Sequence, residues 1–259
     1  MRFGTLVRAC LWMLAAVTLL LIYGPLFTTV FHSFFSRRGG ATDWSSFTFG
    51  WYGKLLENEG IRHALVNSIL VGFAAVAVAL VVGMVLAFYA NNPNSRGRGV
   101  LEAIVFLPFV MPPVITGLAL LIFFQEVDVP RSLVTVTIGH IVFVLAIVYR
   151  TLLSRLQSLR RSLVEASYDL GANRWQTFRF VLLPNLKTAI VASAVLAFAL
   201  SFDETLITLF LASGESTLPL RLWGMMRVGF TPEINALVTL IIILSTGLFL
   251  AVARFFRRT

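Results

Sequence analysis

Five stretches of this chain contain no Asp, Glu, Lys or Arg, and a sixth is broken only by Asp203 and Glu204. They lie between Arg8 and Arg37, Arg62 and Arg96, Glu102 and Glu126, Arg131 and Arg150, from Lys187 to about position 212, and between Glu233 and Arg254. A helix needs about 20 apolar residues to cross the hydrocarbon of a bilayer. Backbone polar groups must be satisfied within each segment there, so the runs predict helices near 10–31, 65–90, 102–126, 131–150, 187–212 and 234–253. They are too long and too uniformly apolar for the alternating strands of a barrel. The expected fold class is an all-α integral membrane protein with six transmembrane helices. Composition agrees: 58% of the residues are hydrophobic and 13% are charged, whereas a soluble domain carries about 25% charged residues.

The first run has the basic start of a secretion signal, Arg2 and Arg8. It is longer than a signal core and ends in Tyr23-Gly24-Pro25-Leu26-Phe27 rather than at a small-residue cleavage site, so it reads as a retained anchor. The formal charge of +9 is distributed by side rather than by patch. With both termini cytoplasmic, fourteen basic residues fall inside and seven outside, and the outer seven are matched by seven acids. The inner acids are only Glu102, Glu165 and Asp169. This asymmetry orients the chain against anionic lipid and calls for no nucleic acid.

The longest inner segment runs from Arg150 to Lys187. Leu152, Leu156, Leu159 and Leu163 recur at helical spacing, which predicts one amphipathic helix continuing through Glu165-Ala166-Ser167. Gly171 then permits a turn, and a second short helix carries Trp175, Phe178 and Val181 up to Pro184. From the pattern alone, such a helix either lies on lipid headgroups or docks a cytoplasmic partner.

This segment resembles a cytoplasmic motif of the membrane subunits of ABC importers: E-A-A, three residues, G, nine residues, I, any residue, L-P. Here Glu165-Ala166-Ser167, Gly171 and Val181-Leu182-Leu183-Pro184 keep that spacing, with Ser167 for the second alanine and Val181 for isoleucine. Asn67-Ser68-Ile69 resembles the start of the family's transmembrane domain, and residues 107–117 resemble the proline-rich third span of type I importers. Phe47-Thr48 through Trp51-Tyr52 resembles the outer segment before that domain. Residues 201–240, with Leu218-Pro219-Leu220 and the run from Arg227 through Phe230 to Leu237, resemble the second permease subunit of spermidine/putrescine importers. The resemblance implies a MetI-like permease fold in a bacterial inner membrane. Residues 1–64 would form an anchor helix and first periplasmic segment, 65–253 the transmembrane domain, and 254–259 a basic tail. It implies a coupling helix at Glu165, Ala166, Ser167, Tyr168, Asp169, Leu170 and Gly171. The implied partners are a second permease subunit, two ATP-binding subunits and a periplasmic solute-binding protein. The implied solute is a polyamine, with an opine, another amine or a phosphonate as alternatives.

The chain carries no G-x-x-x-x-G-K-[ST] loop, no Gly-x-Ser-x-Gly elbow and no H-E-x-x-H. His32, His63 and His140 are scattered, and Cys10 is the single cysteine, so neither catalytic residues, a metal centre nor a cofactor is expected. A membrane-embedded enzyme and an ion-coupled secondary transporter are the competing classes. Asp203 and Glu204 are expected either to hold helices together or to meet a cationic solute, since intramembrane acids face protein or a watery cavity. Pro108, Pro112 and Pro113 are expected to kink the third span, as a packing bend or as a broken helix lining the pathway. His140 is expected to make an interhelical hydrogen bond. Trp44, Trp51, Tyr52 and Trp223 fit an interfacial aromatic belt.

Overall fold

A computed structural model describes residues 2–38, 41–229 and 231–257. Phe230, Arg258 and Thr259 lie outside the described residues. The chain runs α1 (Arg2–His32), β1 (Ser36–Arg38), β2 (Ala41–Asp43), α2 (Gly50–Glu57), α3 (Glu59–Asn91), α4 (Arg98–Val110), α5 (Pro113–Glu126), α6 (Leu133–Ser158), α7 (Arg161–Asp169) and α8 (Arg174–Gln176). A π-helical turn (Thr177–Leu182) leads into α9 (Leu183–Asp203), followed by α10 (Leu206–Leu211), α11 (Leu218–Val228) and α12 (Pro232–Arg257). Four helical stretches are long and apolar enough to span a membrane: Val7–His32, Glu59–Asn91, Leu133–Ser158 and Arg174–Asp203. The pair α4 and α5 would make a fifth, and Pro232–Gly247 is a shorter apolar helix.

The chain divides into two compact units. One comprises residues 1–62 and 222–259, where α12 packs against α1 and α2. After α1 the strands β1 and β2 pair antiparallel, with Ser36 opposite Asp43. Beside them Phe31, Phe34, Phe35, Trp44, Phe47, Phe49 and Tyr52 form a continuous run of ring contacts. Trp44, Phe47 and Phe49 remain exposed.

The other unit, residues 63–221, holds the main core. The α6 helix is its axis: Val136, Val144, Val148, Tyr149, Leu152 and Leu153 have no exposed surface. It packs on α9, α4 and α10. The α3 helix presents small residues, Ala75, Ala79, Ala87 and Ala90, all fully buried. Small residues let helices approach closely where lipid removes any hydrophobic drive to associate. At Gly83 a Cβ would come within 2.9 Å of Val148 and 3.3 Å of the Tyr149 backbone nitrogen, so that contact requires glycine.

Three expected rods are broken, one of them the 187–212 run, where α9 ends at Asp203, Glu204 is extended with ψ 114 and α10 begins at Leu206. The third apolar run is two helices, α4 and α5, bent by 107°, so of the two arrangements expected at its prolines it has the broken helix rather than a bend within one helix. The cause is local: a residue before proline is forced out of the helical region. Met111 precedes Pro112 and has ψ 144, and Pro112 precedes Pro113 and has ψ 132. Pro112 has no N–H to offer the carbonyl of Pro108, and Thr116 Oγ1 supplies that hydrogen bond instead, at 3.3 Å. The remaining broken rod is the inner helix expected to carry Leu152 through Ser167. The α6 helix stops at Ser158, Leu159 is extended with ψ 136, and α7 starts afresh at Arg161. Leu152 and Leu156 belong to the buried end of the span, and Leu163 to the exposed α7. Equal leucine spacing on both sides of the break hides it from periodicity.

Candidate functional site

The 165–171 segment is built as a capped helix end. Gly171 sits at φ +80, where a side chain would be strained. Its N–H donates to the carbonyl of Tyr168 at 2.8 Å, and that of Ala172 donates to the carbonyl of Ser167 at 3.0 Å. This pair of bonds is the Schellman arrangement that satisfies the last carbonyls of a helix. The next helix starts at once: Asn173 and Gln176 exchange side-chain-to-backbone bonds of 2.8 and 2.9 Å in a capping box. A closed helix–turn–helix results. Glu165, Ala166, Asp169 and Gly171 are exposed, Tyr168 is 47% exposed and Leu170 is 88% exposed.

The second arm does not end at Pro184 as the sequence reading expected. It runs on into α9, so that residues 174–203 form one helical stretch. Pro184 enters the first turn of α9, where its missing N–H is tolerated. The turn before it widens to π geometry, with Leu183 N–H donating to the carbonyl of Phe178. Asn185 Nδ2 donates to the carbonyl of Val181 at 2.7 Å, and Arg155 Nε donates to the carbonyl of Asn185 at 3.0 Å. The α6 helix is thereby tied to the start of α9.

Asp203 and Glu204, adjacent in sequence, have different surroundings. Asp203 ends α9 and is exposed. Glu204 is buried, and its Oε1 accepts from the N–H groups of Leu206 at 2.8 Å and Ile207 at 2.9 Å. It caps the short α10, whose first N–H groups would otherwise go unpaired. His140, fully buried on α6, joins both sides of this break: Nδ1 is 2.8 Å from Ser201 Oγ and Nε2 is 2.9 Å from Thr208 Oγ1. Thr135 Oγ1 donates to the carbonyl of Leu211 at 3.0 Å.

The helices that follow the two breaks, α5 after Pro112 and Pro113 and α10 after Asp203 and Glu204, pack together at one glycine, and a second glycine seats α10 on α6. A Cβ on Gly117, one turn into α5, would lie 3.2 Å from Ile207 Cα and 2.9 Å from Phe210. A Cβ on Gly139 of α6 would lie 2.6 Å from Ile207 Cγ2 and 2.7 Å from Leu211. The α10 helix is thus seated between α5 and α6. The 165–171 element adjoins the other end of the stretch that ends at Asp203, since α8, the π turn and α9 run continuously over 174–203. Sequence reasoning missed the glycine seats, because a glycine in an apolar run looks the same whether it spaces helices or idles. Among the described residues no cluster of His, Cys, Asp or Glu is placed to hold a metal ion.

Comparison with known proteins identifies this architecture. Residues 79–259 match the family model of the binding-protein-dependent transport system inner membrane component. The chain is 31% identical to the spermidine/putrescine transport system permease protein PotC of Haemophilus influenzae, over 88% of each chain. It is 34% identical to the putrescine transport system permease protein PotI of Escherichia coli, over 85% of this chain and 81% of that one. A bacterial alginate ABC transporter, solved with its pentasaccharide-bound periplasmic protein, shares the fold. Its TM-score is 0.76 at 16% identity, over 99% of this chain and 96% of that one. The MetNI methionine transporter in inward-facing form gives 0.65 at 21% identity, over 82% and 98%. The chain belongs to the family of inner membrane components of binding-protein-dependent transport systems, and it is a permease subunit.

Proposed function

We propose that this permease imports a small polyamine and is driven by a separate ATP-hydrolysing subunit seated on residues 165–171. The observation that carries the coupling part is the capped tip, where Leu170 is 88% exposed in the turn between α7 and the helical stretch 174–203, which is long and apolar enough to span. A large apolar side chain on the basic inner side, held by a rigid turn rather than laid along a lipid-facing stripe, fits a protein cleft better than a headgroup layer. Glu165 and Asp169 beside it supply acceptors for basic groups of that partner. The polyamine part is supported by the names of the relatives, spermidine/putrescine and putrescine permeases. An exposed carboxylate, Asp203, at the α9–α10 break agrees with a cationic solute.

In this reading a periplasmic binding protein delivers the solute, and a second permease subunit completes the path. ATP binding then favours one of two arrangements of the spans, a population shift by a ligand with unequal affinity for the two. In the test, the complex is purified through this chain and putrescine uptake is measured in vesicles. We expect an ATP-hydrolysing subunit to co-purify, and Glu165→Arg to abolish both its retention and uptake while the chain still inserts. Uptake by this chain alone without ATP refutes the coupling and returns the ion-coupled transporter. A second solute reading rests on a relative in Haloferax volcanii, a probable molybdenum ABC transporter permease, 32% identical over 64% of this chain. Calorimetry of the cognate binding protein with putrescine, spermidine and molybdate separates the two.

A further inference from the structure

Between Arg160 and Leu182 only two residues are buried, Ser167 and Thr177. Their hydroxyls are 2.8 Å apart, Ser167 on α7 and Thr177 at the start of the π turn. The direction of the bond follows from the proton count. Ser167 Oγ donates its one hydrogen to the carbonyl of Val164 at 2.9 Å, so Thr177 is the donor to Ser167. Around this pair, α7 and α8 are mostly solvent-exposed. A hydrogen bond shielded from water is electrostatically stronger than an exposed one. Among the described residues it is the one buried side-chain hydrogen bond between the two arms of the turn. An alanine at 167, as in the motif this stretch resembles, would lack it.

We propose that the Ser167–Thr177 hydroxyl pair is the joint through which the 165–171 element moves α9, with both residues acting as positioning residues for coupling. The proposal rests on the docking of an ATP-hydrolysing subunit at that element. The geometry sets a short lever. Schellman bonds fix the end of α7, the capping box fixes the start of α8, and the hydroxyl pair braces the two arms across the turn. From Thr177 the helix continues without a stop to Asp203, so a rotation of α7 carried through the brace reaches the α9–α10 break. Without the brace, α7 pivots about Gly171 and Ala172 and the stroke is absorbed in the turn.

The test uses the whole complex in lipid vesicles, in a Cys10→Ser background because Cys10 is exposed and unpaired by a disulfide. Nitroxide labels on Ser162→Cys in α7 and Leu196→Cys in α9, both exposed, report the arm-to-span distance with and without ATP plus vanadate. With Ser167 and Thr177 intact, the distribution is expected to stay narrow in both conditions. Ser167→Ala and Thr177→Val are each expected to broaden it, the double variant no further than either single, and Thr177→Ser is expected to restore it. Putrescine imported per ATP hydrolysed is expected to fall about threefold in the two broadened variants and to recover in Thr177→Ser, the size of one hydrogen bond's net contribution. Equal widths in all variants, or broadening in Thr177→Ser as in Thr177→Val, overturns the joint. Absence of an ATP-hydrolysing subunit from the intact complex overturns the docking reading instead, and is seen before any label is read.

Discussion

Asp203 and Glu204 show how far a single residue's role depends on where its carboxylate points. Glu204 Oε1 closes the start of α10 with two backbone N–H bonds, so Glu204→Ala leaves both donors unpaired within the membrane. Loss of a helix cap costs about 0.5–2 kcal/mol, and thermal denaturation in detergent should show that loss, with Glu204→Gln retaining most of the stability because its amide oxygen still accepts. Asp203 makes no such bond through its carboxylate among the described contacts, and Asp203→Asn should leave melting unchanged while lowering putrescine uptake. Equal loss of both in Asp203→Asn would make it a packing residue. The sequence singled out both acids as a pair, since two carboxylates in an apolar run are conspicuous. It had no means of separating them, because the split depends on a helix break between the residues. Ser167 was the opposite case: it read as a minor departure from a motif, and only its 2.8 Å contact with Thr177 gives it weight.

At the scale of elements, the discontinuities carry more information than the spans. The apolar helices fall close to the charge-free runs, four of them long enough to span, with the bent α4–α5 pair as a fifth and Pro232–Gly247 shorter. Breaks are set by a few dihedrals, and their legibility depends on whether a residue type forces them. Successive prolines at 112 and 113 announced a disturbance, though not a turn of 107°. Leu159 and Arg160 announced nothing, since any residue can adopt extended backbone. If the prolines themselves hold the α4–α5 bend, alanine at both 112 and 113 should let one helix run through. Labels at the exposed Ile104 and Ile122 would then separate toward about 27 Å, the rise of eighteen residues in a straight helix. An unchanged distance would mean that the α10 seat on Gly117, rather than the prolines, imposes the bend. That seat has its own test. Gly117→Leu meets the Ile207 backbone, which cannot turn aside as a rotamer can. Overpacking of this kind costs about 1–3 kcal/mol, seen as a lowered melting temperature with uptake reduced alongside it.

For the whole molecule, what remains uncovered decides how the chain must sit. The Val7–His32 span has none of its apolar window buried, and Trp12 and Phe27 are 76% and 72% exposed. Such surface is stable only against lipid or another membrane subunit. The charge pattern then chooses the direction. The segment carrying Arg150, Arg155, Arg160, Arg161, Arg174, Arg179 and Lys187 has only Glu165 and Asp169 as acids, which predicts a cytoplasmic position. The segment between α1 and α3 carries acids as well as bases, which predicts an outer position. In intact cells with Cys10→Ser, a membrane-impermeant maleimide should therefore label Glu57→Cys directly and Ser162→Cys only after the membrane is opened. Both positions are exposed, so burial cannot mimic protection by the bilayer. The reverse pattern would turn the 165–171 element toward the outside, beyond the reach of cytosolic ATP, and every step of the coupling would fail with it.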